Sequence, residues 1–237
     1  MNQERFDKII ATQIGISRSN ARKAIWQGKA TLNGQIIKDP SLLVCPENAD
    51  IQFEGQAVNY KKYIYLILNK PEGIISASND KSRETVIDLV PPQLRRTGLF
   101  PVGRLDRDTT GLLLITNDGD FGHKIISPKN NIEKTYIAYL DGEITPKLIA
   151  DFENGITLAD GTACKPAKLV ALQNNIGEVT ICEGKYHQIK RMFGVANLGV
   201  NRLHRSKIGA LCLPEDLNKG ECRELLETEI SSIFKKC

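Results

Sequence analysis

Asp106 and Asp108 stand in a run of residue types that can do chemistry: Gly103-Arg104-Leu105-Asp106-Arg107-Asp108-Thr109-Thr110. That polar run leads directly into Gly111-Leu112-Leu113-Leu114-Ile115-Thr116, a buried-type strand that Asn117-Asp118-Gly119 ends. A loop rooted in a rigid strand holds a carboxylate at a fixed point, where it can serve as nucleophile or base. The same residues also describe a surface loop whose Arg and Asp side chains pair with each other.

Other chemistries fit less well. His123, His187 and His204 belong to no Ser-His-Asp arrangement, and His187 falls in a predicted helix, where a structural or ligand-contact role is expected. The six cysteines (Cys45, Cys164, Cys182, Cys212, Cys222, Cys237) are dispersed, without a C-x-x-C pair or a His at zinc-like spacing. No metal site is expected, and the thiols are expected free and reduced.

The formal net charge of +4 is unremarkable, but its distribution is not. Residues 1–30 carry six Lys/Arg against Glu4 and Asp7, and residues 183–209 carry six against Glu183 alone. The segment 215–229 reverses the sign, with six acids against Lys219 and Arg223. Two basic clusters far apart in sequence suit a polyanion held at more than one place, or two solvated faces. No apolar stretch approaches the ~20 residues of a membrane helix. Met1-Asn2-Gln3-Glu4-Arg5-Phe6 lacks a basic-then-apolar export pattern, so a cytoplasmic protein without a membrane partner is expected.

The elements that must position these residues read as two domains, 1–60 and 61–237. Phe6, Ile9, Ile10 and Ile14 fall at helical spacing, and Gly15 ends that helix. Ser17 caps a second helix running to Gln27, with Gly28 as its stop. Ala30 to Ile37 predicts a hairpin turning at Asn33-Gly34, followed by a short strand at Asp50 to Phe53. Residues 55–62 lack apolar periodicity and are expected to be a linker. Beyond them come strands at Tyr63–Leu68 (stopped by Lys70-Pro71-Glu72-Gly73), Thr135–Leu140, Ala167–Leu172 and Glu178–Cys182. A helix capped by Thr145, with Pro146 first and Gly155 as stop, intervenes. A further helix spans His187–Ala196, and Arg202–Leu213 forms a strand pair, or one strand bent at Gly209. This mixture predicts an α+β fold: a small N-terminal α/β unit and a larger domain with a mixed or antiparallel central sheet.

Several of these segments resemble known families. Arg5-Phe6-Asp7-Lys8, Ser17-Arg18-Ser19-Asn20-Ala21-Arg22 and Gly28 to Gly34 are similar to the S4 RNA-binding domain. The resemblance implies that Arg5, Lys8, Ser17, Arg18, Arg22, Lys23 and Lys29 line an RNA backbone. Gly103-Arg104-Leu105-Asp106, with Thr109 and Gly111-Leu112-Leu113, resembles the signature of the RsuA group of pseudouridine synthases. Asn69-Lys70-Pro71-Glu72-Gly73, Lys134-Thr135-Tyr136 and Gly184-Lys185-Tyr186-His187-Gln188-Ile189-Lys190-Arg191 are similar to that group's other motifs, in the same order.

The resemblance implies isomerisation of a uridine in ribosomal RNA, without cofactor or metal. The N1–C1′ bond breaks, the base turns, and it rejoins through C5. Asp106 would be the catalytic residue, attacking C1′ or removing the C2′ proton. Tyr136 would stack on the flipped uracil. Lys190 would be the cation keeping Asp106 ionised, since Ile189 and Met192-Phe193 turn that helix against the sheet. Arg104 would fill the space of the extruded base or contact phosphates, and Arg191 would serve RNA affinity. Asp108 falls at a variable position of the pattern and ranks below Asp106. Ser127-Pro128 and Lys134-Thr135-Tyr136 resemble the small-subunit enzyme, which implies a 16S uridine of the position-516 type, met within a small-subunit assembly intermediate by a monomeric enzyme. The alternatives are a large-subunit (23S) synthase of the same family and a non-catalytic S4-type ribosome-assembly factor.

Overall fold

The apolar residues at helical spacing near the N-terminus bury themselves against a small sheet. The computed structural model describes residues 3–173 and 175–235, so Cys237 lies outside the described residues. The chain divides into two compact units, Met1–Ile64 with Val90–Leu99, and Tyr65–Leu89 with Phe100–Cys237.

In the first unit β1 (Glu4–Arg5) leads into α1 (Phe6–Ile14), and α2 (Arg18–Trp26) follows. Gly15 adopts φ +73° and its N–H closes α1 on the Ala11 carbonyl, a left-handed cap that glycine takes without strain. The Ser17 hydroxyl accepts from the Asn20 N–H and caps α2. Then come β2 (Ala30–Leu32), β3 (Gln35–Ile36), β4 (Leu43–Val44), β5 (Ile51–Phe53) and β6 (Gln56–Ala57). Asn33 and Gly34, at φ +50° and +78°, turn the β2–β3 hairpin as predicted. Phe6, Ile9, Ile10, Ala21, Ile25 and Ile51 form the core.

The expected linker at 55–62 is a correction. β6 pairs with β5 across a turn at Glu54-Gly55, Val58 is buried, and the Lys61 N–H donates to Gln13 Oε1 at 3.0 Å. Both residues of β6 are exposed, so the segment carries no apolar alternation to reveal it.

The second unit is built on one nine-stranded mixed sheet. Its strands are β7 (Tyr65–Lys70), β8 (Phe100–Pro101), β9 (Thr109–Thr116), β10 (Lys134–Leu140), β11 (Lys168–Gln173), β12 (Ile176–Ile181), β13 (Val200–Ile208), β14 (Leu211–Cys212) and β15 (Cys222–Glu224). The order is β11-β12-β10-β13-β9-β7-β15, with β14 on β13 and β8 on β9. Every pairing is antiparallel except β13 with β9, which runs parallel over Leu203–Arg205 and Thr109–Gly111. The α+β architecture with a mixed sheet is as expected.

Among the described residues four α-helices accompany the sheet: α3 (Gly119–Ile126), α4 (Pro146–Asn154), α5 (Gln188–Val195) and α6 (Glu227–Ser232). α4 has the predicted Thr145 cap and Gly155 stop. α3 was not predicted. Asn117-Asp118-Gly119 ends β9 as read, but the Asp118 carboxylate also accepts the N–H groups of Asp120 and Phe121 and starts a helix. α5 begins one residue later than predicted, leaving His187 outside it at φ +49°. The alternatives for 202–213 resolve to a strand pair, with Gly209 turning at φ +54°. A side chain there would meet the Ile233 carbonyl oxygen.

Candidate active site

The polar run before β9 is pinned on both sides of Asp106. On the N-terminal side, the Ser76 hydroxyl donates to the Leu105 carbonyl at 2.9 Å and accepts from the Leu105 N–H at 3.1 Å. On the C-terminal side, the Gly73 N–H donates to the Arg107 carbonyl at 2.8 Å, and Arg107 Nε returns to the Gly73 carbonyl. Beneath both lies Lys70, fully buried at the end of β7, whose ammonium donates to the carbonyls of Pro71, Arg107 and Thr109. Burial lowers the Lys70 pKa to about 8, against the opposing pull of Asp108, Asp106 and Glu72. The Asn69-to-Gly73 element thus fixes the backbone that carries Asp106.

Asp106 lines a cavity of about 480 Å³ together with Arg104, Leu105, Tyr136, Leu203 and Arg205. Such a volume suits a small ligand, and its walls carry apolar groups with several cations. Tyr136 enters from β10, nearly buried, and its hydroxyl accepts from Arg205 Nη1 at 3.3 Å. Arg104 is exposed at the same cavity.

The other side of the cavity comes from the residues before α5. Glu183 Oε1 accepts the Lys165 N–H and Gln188 Nε2, while Gln188 Oε1 accepts the Lys185 N–H. This knot folds residues 183–188 back, and His187 takes its left-handed conformation there. His187 Nε2 lies 3.3 Å from Asp106 Oδ1, and the Tyr186 ring stacks on the imidazole at 3.9 Å.

Lys190 reaches Asp106 as expected, but Asp108 holds it more closely. Ile189, Met192 and Phe193 are buried as the periodicity requires, but the ammonium is only part-buried and lies against Asp108 at 2.6 and 2.7 Å. It stands 3.9 Å from Asp106 Oδ2. Asp108, not Asp106, is therefore its nearer carboxylate, and the Lys190 ammonium holds the Asp108 pKa below the usual carboxylate range. Asp108 is also the more exposed of the two acids.

The residues expected to bind RNA in the first unit are largely occupied by acids. Arg5, Arg18 and Arg22 all bond the buried carboxylate of Asp7 at 2.8–3.1 Å. Burial raises the Asp7 pKa, but the three guanidiniums outweigh it and hold the group far below the carboxylate range. Lys8 pairs with Glu4, Lys29 with Glu54, and the Ser17 hydroxyl serves the helix cap. Lys23 lies in the last turn of α2. In the second unit Arg191 pairs with Asp160.

Three residues at this site went unnoticed in the sequence: His187 as a neighbour of Asp106, and Lys134 and Arg205 in the cavity wall. Period-two alternation with Leu203 was the available signal for Arg205.

A model of RNA pseudouridylate synthases matches residues 64–194, and an S4 domain model matches residues 4–50. Fold and motifs therefore define a pseudouridine synthase domain preceded by an S4 domain. Ribosomal small subunit pseudouridine synthase A of Haemophilus influenzae is 40% identical over 233 residues, covering 98% of this chain and all of that one. An uncharacterized RNA pseudouridine synthase of Bacillus subtilis is 39% identical, covering 95% of this chain and 96% of its own. A solved structure described as a pseudouridylate synthase aligns at TM-score 0.69 with 40% identity, covering 97% of this chain and 99% of that one. The chain belongs to the RNA pseudouridylate synthase family, in its S4-bearing RsuA group.

Proposed function

We propose that the protein isomerises a uridine of small-subunit ribosomal RNA to pseudouridine, with Asp106 as the catalytic carboxylate. The observation that carries this reading is the placement of Asp106, on a doubly pinned loop, in a base-sized cavity shared with Tyr136. A uridine turned out of its strand enters that cavity, Tyr136 stacks on the uracil, and Asp106 reaches the sugar. Asp106 then bonds to C1′ or removes the C2′ proton; both routes free the base to turn and rejoin through C5. Lys190, shared with Asp108, supplies positive charge beside the reacting carboxylate. Arg104 contacts the RNA at the cavity. The S4 unit contributes phosphate contacts, which position RNA without reading its sequence.

The 16S position of the 516 type is the target we assign, on the strength of the full-length likeness to small-subunit enzymes. The enzyme meets it as a monomer in an assembling small subunit in the cytoplasm. Carbodiimide-primer extension on rRNA from a deletion strain tests activity and target together. The stop at that 16S uridine should disappear, return with the wild-type gene, and stay absent with Asp106→Asn. An intact 16S stop, or a loss confined to 23S rRNA, would refute the assignment.

A further inference from the structure

Arg205 is only 4% exposed, yet among the described residues its hydrogen bonds reach neutral partners alone. Nε donates to the Leu112 carbonyl at 2.7 Å and Nη1 to the Tyr136 hydroxyl, while buried Nη2 has no hydrogen-bond partner among the described residues. Lys134, two residues before Tyr136 on the same face of β10, gives its ammonium to the Ile125 and Ile132 carbonyls. Burial, and then the Arg205 charge, lower the Lys134 pKa to about 8. Both side chains line the cavity that holds Asp106. A buried cation and a part-buried one resting on neutral partners are costly in a fold, and an unsatisfied guanidinium nitrogen adds to the cost. The arrangement suits a site that receives negative charge only during its reaction.

The proposed isomerisation generates such a charge. When N1–C1′ breaks, its electron pair leaves with the base and spreads onto the uracil O2 and O4, while C1′ bonds to Asp106 or becomes part of a glycal. The pair returns to the sugar when C5 bonds to C1′, as the Asp106–C1′ bond breaks and the carboxylate leaves, or as the glycal takes its C2′ proton back from Asp106. The C5 proton then leaves and N1 gains one, so no net charge or oxidant is involved. Resting on the reading above, we infer that Arg205, with Lys134, stabilises the detached uracil anion as it turns between the N1 and C5 attachments. Register supports this: Arg205 is the cross-strand partner of Tyr136, the residue that stacks on the base. Gly111, beside Arg205 in the parallel pairing, has no Cβ, and a side chain there would run into the Arg205 backbone.

The test compares wild type, Arg205→Met, Arg205→Lys and Lys134→Met in single-turnover reactions on an rRNA fragment carrying uridine or 5-fluorouridine at the target. Circular dichroism and RNA affinity are measured alongside. Arg205→Met should lose on the order of 10²–10³-fold in turnover of uridine at saturating RNA, with affinity nearly unchanged. Arg205→Lys should recover part of that loss, and Lys134→Met should lose less than Arg205→Met. Fluorine makes the base a better leaving anion, so consumption of 5-fluorouridine should suffer markedly less in both Met variants. Equal losses on the two bases, or a loss of affinity alone, would show that these residues only brace Tyr136 and the strands. Should Arg205→Met fail to fold, Lys134→Met decides by the same ratio. A wild-type protein that forms no pseudouridine would overturn the functional reading, and this inference with it.

Discussion

Asp7 and Asp106 are both aspartates among cations, and they are handled in opposite ways. Asp7 is wholly buried, and three guanidiniums saturate its two oxygens at 2.8–3.1 Å. Asp106 is 31% exposed, with the His187 ring at 3.3 Å and the Lys190 ammonium at 3.9 Å as its neighbours. A carboxylate whose lone pairs are all engaged holds a fold together and has little left for chemistry. One whose backbone is clamped while its oxygens stay loosely held is fixed in place and free to react. The clamp at Asp106 acts on the main chain, through Ser76, Gly73 and Lys70, not on the carboxylate.

The largest expected effect follows from that contrast. Asp106→Asn should lower pseudouridine formation by at least ~10³-fold while leaving the melting temperature and RNA affinity close to wild type. Near wild-type turnover by the purified variant would remove Asp106 from its role. Asp7→Asn should do the reverse, leaving the cavity chemistry intact but destabilising the first unit by ~1–3 kcal/mol, because the charge-assisted bonds of three part-exposed guanidiniums to a buried carboxylate are lost. Denaturant unfolding of residues in that unit is the measurement. The pH dependence has a definite sign. A carboxyl whose folded pKa is depressed gives stability that is complete above its unfolded pKa and is lost as pH falls through the folded one. The first unit should therefore weaken progressively below about pH 4, and the Asp7→Asn variant should lose much of that acid limb, leaving the part that Glu4 and Asp39 carry.

Lys190 gives a middle-sized effect. Lys190→Met removes a cation shared by two carboxylates and should reduce turnover by roughly 10–10²-fold, whereas Lys190→Arg should keep part of it because the charge survives. Stability should change little, since the ammonium is only part-buried. A Lys190→Met enzyme impaired only in RNA affinity would make this residue a phosphate contact.

How far the sequence reveals this contrast differs between the two regions. The chemistry-bearing loop was legible because Gly103 to Thr116 places a polar run against an uninterrupted apolar strand, and because its motifs recur in a known order. Helices ended by Gly15 and Gly155, and the turn at Asn33-Gly34, were legible from local backbone preferences. The acidic clamp on Arg5, Arg18 and Arg22 was not, because basic residues on a helix face look the same whether they meet phosphate or a buried Asp. β6 escaped notice because two exposed residues have no alternation, and α3 because Asp118 both ends a strand and caps a helix. Arg205 was counted as one basic residue of a cluster, since burial of a charge comes from tertiary pairing and not from its neighbours in the chain. The return of Val90–Leu99 to the first unit rests likewise on contacts distant in sequence.

The smallest expected effect concerns Asp108, and it sharpens the comparison most finely. Asp108 takes Lys190 at 2.6 Å and leaves Asp106 the longer contact at 3.9 Å. It thus acts as a competitor, keeping the cation close to Asp106 without letting it engage that carboxylate as the guanidiniums engage Asp7. Asp108→Asn removes the competitor's charge. The Lys190 ammonium is then drawn toward Asp106, and a tighter ion pair there makes the carboxylate a weaker nucleophile and a weaker base. Turnover should fall only a few-fold, because the cavity, the loop clamp and Tyr136 are untouched. The double variant Asp108→Asn with Lys190→Met should resemble Lys190→Met alone, for without the cation there is nothing to compete for. Fully additive losses in the double variant would mean that Asp108 acts on the RNA directly, and the loosely held state of Asp106 would then need another cause.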